Sequence, residues 1–232
     1  MQERIRERLT ELLKADRWVE GKYSAIAPAT PEEVLTLLRH YPGSILTVGG
    51  GTSFPNDFNP GPEALIMLTF RLVDLFDISF PDQVLDVSAG HSIKSVNQRL
   101  ETEGLYVPAL KRFNAGTIGG RLGLHSSHPS TKHGSGWVQS LLGIEIALPS
   151  GKSAMFGSRC IKDVAGYDLR HVFTGSRGHA GIILKALFRC RPLTEFHEDD
   201  LATMTEDLKP AGRLDPKWKR LFDPLGRMFP GG

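Results

Sequence analysis

Three glycine clusters, far apart in the chain and each joined to an apolar run, constrain this sequence more than any other feature. Gly49-Gly50-Gly51-Thr52-Ser53 directly follows Ile45-Leu46-Thr47-Val48. The second cluster is Ala115-Gly116-Thr117-Ile118-Gly119-Gly120. The third is Val164-Ala165-Gly166-Tyr167-Asp168-Leu169, followed by Thr174-Gly175-Ser176-Arg177-Gly178-His179-Ala180-Gly181-Ile182-Ile183. A strand that runs into consecutive glycines can turn with positive φ and aim several N–H groups at one point, with no Cβ to block a close approach. The first cluster alone reads equally well as a tight structural turn. Three together suit a long ligand carrying two phosphates, sugars and a ring, which is a dinucleotide. The Rossmann fingerprint is absent, because no G-x-G-x-x-G opens a helix and Pro55, Asn56 and Asp57 follow too soon. Gly151-Lys152-Ser153 imitates the end of a P-loop but lacks the earlier glycine and lies in a hairpin turn.

Around these clusters the pattern is mixed. Ile5, Leu9, Leu12 and Leu13 stand at helical spacing among charges, predicting an N-terminal amphipathic helix that docks on its own domain or on a partner. Thr30-Pro31-Glu32-Glu33 predicts a helix start with a capping box, ended by Pro42-Gly43. Strands are predicted at 45–48, 64–68 and 84–88, and a helix over 92–103 capped by Ser92 and stopped by Gly104. Further on, 143–148 and 153–156 read as a hairpin, 168–173 as a short helix with Asp168 as its cap, and 181–190 as a strand. The first 105 residues alternate helix and strand, and the rest looks more antiparallel. The fold class is therefore α+β.

Charge and cysteine usage exclude other classes. With 28 basic and 26 acidic residues the balance is too even for polyanion binding by bulk field, so nucleic acid is not expected as a partner. The basic run Lys209, Arg213, Lys217, Lys219, Arg220 reads as a solvated tail. Cys160 and Cys190 have no CxxC or CxxH neighbour, and no apolar run is long enough to span a membrane. A reducing, cytoplasmic setting follows. His125, His128 and His133 match no zinc spacing, so no metal site is assigned, and the alternative of a metal-dependent hydrolase ranks last.

The runs 48–53, 116–120, 162–169 and 175–183 resemble the FAD-binding domain of the p-cresol methylhydroxylase and vanillyl-alcohol oxidase superfamily. Within it they are most similar to the FAD-binding subunit of bacterial glycolate oxidase and to D-lactate dehydrogenases. The likeness spans residues 25 to 192, and Asp223-Pro224-Leu225-Gly226 resembles the family's C-terminal flavin-side segment. The resemblance implies two subdomains, a small α/β one and a larger mixed or antiparallel sheet with flanking helices. The expected division is an N-terminal helix over 1–22, an FAD-binding domain over 23–192 with subdomains of about 23–105 and 106–192, and a C-terminal segment over 193–232.

By the same resemblance, FAD is held by Val48, Gly49, Gly50, Gly51, Thr52 and Ser53 at the pyrophosphate. Gly116, Thr117, Ile118, Gly119 and Gly120, with His125 and Ser126, line the phosphate and ribityl region, and Gly166, Gly181, Ile182 and Ile183 complete the site. The chain departs from relatives in three places. No substrate (cap) domain fits between Pro192 and Asp223, His125 stands where relatives often carry Asn, and Phe229 replaces the closing Asn. Covalent flavin attachment is disfavoured, with His91 and His125 the remaining candidates. No catalytic acid or base is assigned from spacing. The implied role is the FAD-binding subunit of an oxidoreductase for a 2-hydroxy acid such as glycolate or D-lactate, with a second flavoprotein or iron–sulfur subunit as electron-accepting partner. The alternative is a non-catalytic assembly or regulatory subunit that keeps the flavin-binding fold.

Overall fold

The computed structural model describes residues 7, 9–20, 23, 25–52, 64–124, 140–159, 168–197 and 216–228. Two sheets carry the fold. The first has the order β1(Trp18–Val19), β2(Ala25–Ile26), β4(Leu65–Leu68), β3(Ile45–Val48), with β2, β4 and β3 mutually parallel. Parallel strands need a crossover, and α1(Pro31–His40) carries the chain from β2 to β3, which lie on either side of β4. Thr30 caps α1 by accepting the Glu33 amide at 3.3 Å, and Pro31 occupies the first turn, where no amide is missed. The other half of the expected capping box is displaced by one residue. Glu33 takes the amide of Ala29 at 2.7 Å while its carboxylate also receives the Arg17 guanidinium, which fixes the carboxylate toward the preceding loop.

Strand periodicity divides the first sheet's side chains between two clusters. Ile26, Ile45, Leu65 and Met67 face α1 residues Val34, Leu37 and Leu38, while Ala25, Leu46, Val48 and Ile66 face the other way. Burying each of the three α1 side chains stabilises the contact by roughly 1.5–3 kcal/mol. Leu9 and Leu13 join the same cluster, so this stretch covers the chain's own body rather than standing free for a partner.

The second sheet is antiparallel throughout, in the order β5(Phe76–Ser79), β6(Val84–Ser88), β10(Ile182–Arg189), β8(Leu141–Ala147), β9(Ser153–Gly157). One face meets α2(Ile93–Thr102), α3(Pro108–Lys111), α4(Ile118–Leu124) and α5(Arg170–Phe173) through Val96, Leu100, Leu110, Leu122 and Phe173. The opposite face sends Ala147, Ile182 and Leu184 into the first sheet's cluster. The central strand β10 is thus a wall shared by two cores. β7(Leu105–Tyr106) and β11(Arg191–Pro192) form a separate two-stranded antiparallel ladder.

Strands β5 and β6 lie before residue 105 yet hydrogen-bond into the second sheet, so the sheets part between Leu68 and Phe76. The sequence division at 105 followed helix and strand alternation, which is blind to strands that pair with a partner a hundred residues away. Ser92 caps α2 by accepting from the Ser95 amide at 3.2 Å, and Gly104 follows it at φ 69°. The helix expected over 168–173 covers Arg170–Phe173, and its N-cap is Leu169, which makes no side-chain cap bond; Asp168, one residue earlier, accepts the Arg170 amide at 3.2 Å and its guanidinium at 2.7 Å.

The C-terminal run is only partly a solvated tail. In α6(Pro216–Phe222), Lys217 and Arg220 are exposed, while Lys219 donates to the Met228 carbonyl at 2.9 Å. Lys209 and Arg213 lie outside the described residues. Asp223 is buried and accepts the amides of Arg227 and Met228, both at 2.9 Å. Arg227 then donates to the carbonyls of Leu38, Pro149 and Tyr41, and Met228 pairs in parallel with Ile45 on the open edge of β3.

Candidate functional site

The first glycine cluster rests directly on the second. A Cβ at Gly49 would stand 2.6 Å from Thr117 Oγ1 and 3.1 Å from the Gly120 Cα, so packing forbids any side chain there. Gly50 has Thr117 Cγ2 as its near neighbour, 3.3 Å from an added Cβ. Gly51 differs: its φ is +76° and nothing lies within 4 Å of the Cβ position. The amides of Gly50, Gly51 and Thr52 donate to no backbone carbonyl among the described residues. Exposed glycine backbone whose amides meet no backbone acceptor among the described residues, beyond a buried strand, suits phosphate oxygens. Val48 itself is buried, with its side chain in the small cluster of the first sheet.

The second cluster is built differently from expectation. Ile118 donates its amide to the His91 carbonyl at 3.0 Å, Gly119 to the Ala89 carbonyl at 2.8 Å and Gly120 to Thr117 Oγ1 at 3.2 Å. The amides of Ile118, Gly119 and Gly120 are thus engaged inside the protein. A Cβ on Gly119 would meet the Ala89 Cβ at 2.8 Å, which makes this glycine a joint between α4 and the turn after β6. Gly116, at φ +90°, gives its carbonyl to the Ile93 amide at 3.0 Å.

That turn, Ala89–Gly90, was missed as part of the site. An added Cβ at Gly90 would lie 2.5 Å from the Thr69 carbonyl and 2.6 Å from that of Leu72. The available signal was a strand running into Ala-Gly just ahead of a capped helix. The Ala89 amide donates to the Leu184 carbonyl at 2.8 Å, tying the second cluster to β10. The last β6 residue, Ser88, is paired with Lys185, so Ile182 and Ile183 run on past the end of β6. Their side chains enter opposite cores, leaving main chain for any ligand contact. Gly181 packs so tightly on β8 that a Cβ would fall 2.6 Å from Ile146 Cγ2.

The third cluster closes the circle. Gly175 and Arg177 donate amides to Leu122 and Gly123, at 2.7 and 2.8 Å, at the far end of α4. A Cβ at Gly178 would lie 3.2 Å from Thr47 Cβ, two residues before Gly49, and Thr47 Oγ1 is buried without a hydrogen-bond partner. All three clusters therefore share one region. Ser53, His125, Ser126 and Gly166 lie outside the described residues, as do His128 and His133. Among the described residues no group of three His, Cys, Asp or Glu could hold a metal.

Burial, and then the charges of Lys219 and Arg177, pull the His179 imidazole below its ordinary range against the opposing Asp223. Burial likewise lowers His91, against a backbone hydrogen bond at Leu75. Its ring meets Phe76 edge-on at 5.6 Å, and its Nε2 is buried with no partner. The open left-handed backbone at Gly51 and the amides beside it fit the diphosphate of a dinucleotide.

Comparisons with known proteins agree with this geometry. Similar chains include glycolate oxidase subunit GlcD of Bacillus subtilis, 28% identical over 184 residues that make up 77% of this chain and 39% of that protein. D-lactate dehydrogenase of Archaeoglobus fulgidus is 27% identical over 187 residues, 79% of this chain and 42% of that one. The chain thus spans about two-fifths of the length of the curated relatives it matches. The solved structure of an alkyldihydroxyacetonephosphate synthase superposes with a TM-score of 0.67 at 16% identity, covering 82% of this chain and 40% of that one, which is a likeness of fold. A family model described as an FAD binding domain matches residues 24–156, which hold the first two glycine clusters, β10's neighbours β6 and β8, and the turn that joins them. The chain belongs to this family of FAD binding domains, and FAD is its cofactor.

Proposed function

We propose that this chain is the FAD-carrying subunit of an oxidoreductase that acts on a 2-hydroxy acid such as glycolate or D-lactate. The observation that carries the reading is the convergence of Gly49–Thr52, Thr117–Gly120 and the start of β10 on one region, within a chain similar to a glycolate oxidase subunit and a D-lactate dehydrogenase. The bound flavin supplies two-electron acceptance from the substrate's C–H bond. The chain's own residues hold and orient it: amides at Gly50, Gly51 and Thr52 take phosphate oxygens, and Gly49 packed on Thr117 and Gly120 sets the first loop against α4. Electrons pass to a partner subunit, a second flavoprotein or an iron–sulfur protein, which also covers the flavin and keeps water from it. A cytoplasmic setting belongs to the same reading. Among the described residues no helix is long and apolar enough to cross a membrane.

The test is an absorption spectrum of the purified chain, followed by anaerobic titration with glycolate and D-lactate in the presence of co-purified partners. A flavin spectrum that bleaches with either acid is the expected result. A flavin spectrum that neither acid bleaches would overturn the substrate class. The second reading, a non-catalytic subunit that retains the fold, is favoured by one feature: the amides of Ile118, Gly119 and Gly120 are satisfied within the protein, so that element needs no ligand to stand. Protein that stays colourless with added FAD selects it.

A further inference from the structure

His91 stands behind the second glycine cluster, and its ring is badly placed to carry a proton. Its carbonyl accepts the Ile118 amide at 3.0 Å. The next two residues continue the contact, Ser92 bridging Thr117 and the Ile93 amide donating to the Gly116 carbonyl at 3.0 Å. Thr117 and Gly120 are in turn what Gly49 packs against, so the turn at His91 supports the start of α4 and α4 supports the first loop. The ring meets Phe76 edge-on at 5.6 Å, while Arg99 of α2 stands over Phe76 with its Cζ 3.4 Å from the ring centroid. Nε2 is buried with no hydrogen-bond partner. Ser92 caps α2, so His91 also precedes the positive end of that helix. The charged groups acting on the ring are Arg99, which disfavours a proton, and Asp74 ahead of β5, which favours one but already accepts from Ser88 Oγ at 2.7 Å. Burial, with Arg99 adding to it, outweighs Asp74 and the backbone at Leu75 and Val73.

We propose that His91 is a pH switch for the cofactor: a proton on its ring breaks the tie to Ile118 and loosens the loop that holds FAD, so the flavin is retained at neutral pH and released in acid. An imidazolium has two N–H donors to satisfy, and the buried Nε2 has no acceptor within reach. The ring must then swing toward water. The Gly90 amide is held by the Leu72 carbonyl at 2.8 Å, which leaves the Ile118 side to give way. The sign follows from the ring being neutral in the closed arrangement. The opened form takes up a proton first, at the ordinary value of about 6.5, so the closed form is fully favoured above that pH and loses ground as pH falls below it. The inference rests on FAD as the ligand and adds what regulates its site.

The experiment measures FAD affinity of the full chain by flavin fluorescence between pH 7.5 and pH 5.5, for the wild type, His91→Phe and His91→Gln. Phe keeps the ring contact and Gln a neutral polar group, and neither takes up a proton in this range. The wild type is expected to bind FAD about fivefold or more weakly at pH 5.5 than at pH 7.5, and the variants to lose most of that dependence. Proton NMR of the wild-type histidines reads the same coupling without any variant. By reciprocity the His91 ring should titrate below its ordinary value, and lower still with FAD added. An acid loss of affinity that both variants share with the wild type would overturn the role of His91 alone. If neither variant folds, a His91 titration that FAD does not move would do the same. A wild-type chain that binds no FAD at pH 7.5 would overturn the cofactor reading and this proposal together.

Discussion

Thr117 Oγ1 occupies the space where a side chain on Gly49 would begin, 2.6 Å from the position of the missing Cβ. One hydroxyl thereby caps α4 through the Gly120 amide and forces glycine at a residue 68 positions earlier in the sequence. Gly49→Ala is expected to destabilise the protein by about 1–3 kcal/mol and to loosen FAD. Thr117→Ala in the same chain should restore part of the loss, because the Gly120 backbone still crowds the site at 3.1 Å. Denaturation of the two single variants and the double variant measures the coupling.

Neighbouring glycines should fail in different ways. Gly119→Val drives a branched side chain into Ala89 and is expected to cost about 3 kcal/mol or more of stability, with FAD lost as a consequence. Gly50→Val meets only the end of Thr117 and is expected to fold while releasing FAD, because its side chain fills the phosphate approach. Melting curves and flavin content, read together, separate the two kinds of failure. Retention of flavin at the wild-type level in Gly50→Val would remove that loop from the site.

Asp223 has no exposed side-chain surface and holds two amides and the Lys219 ammonium. Asp223→Ala should cost about 3 kcal/mol, since both amides and the cation lose their acceptor. Urea titration checks the value. A loss under about 0.5 kcal/mol would mean that the C-terminal turn is not held by this carboxylate.

Glu33 carries a pH dependence with a definite sign. Burial pushes its carboxyl up, but the Arg17 guanidinium and the Ala29 amide outweigh burial and hold it below the ordinary carboxylate range. A group lowered in the folded state contributes stability that is fully present above its unfolded value of about 4.3. That contribution is lost as pH falls through the folded value. Stability of the wild type should therefore decline more steeply in acid than that of Glu33→Gln, which lacks the titrating group. Denaturant midpoints at pH 7 and pH 3.5 test the difference.

Burial pushes the Cys190 thiol up to about 12, so almost no thiolate forms at neutral pH. In a Cys160→Ser chain, labelling by a thiol reagent at pH 8 should proceed only as fast as the protein unfolds. Rapid labelling in the native state would contradict the buried position of this residue in the helix-facing core.

Local chemistry was legible in the sequence. Thr30 and Ser92 cap their helices because a hydroxyl reaches an amide three residues on, and the β8–β9 hairpin is set by Pro149-Ser150-Gly151 between two apolar runs. The three glycine clusters were visible for the same reason. What they do individually was not. Whether a glycine leaves open backbone, as at Gly51, or makes room for a neighbouring segment, as at Gly119 and Gly90, depends on segments that meet only after folding. The allegiance of β5 and β6 to the second sheet was hidden likewise, since it is decided by their pairing with β10.

Strand β10 has apolar residues buried on both of its faces, and this makes it an unlikely place for the molecule to open. The two halves cannot breathe separately without tearing one core away from the same backbone, so its amides should be among the last to exchange with heavy water. Any opening of the molecule must then come from the loops around this strand, with the strand itself acting as a fixed spine.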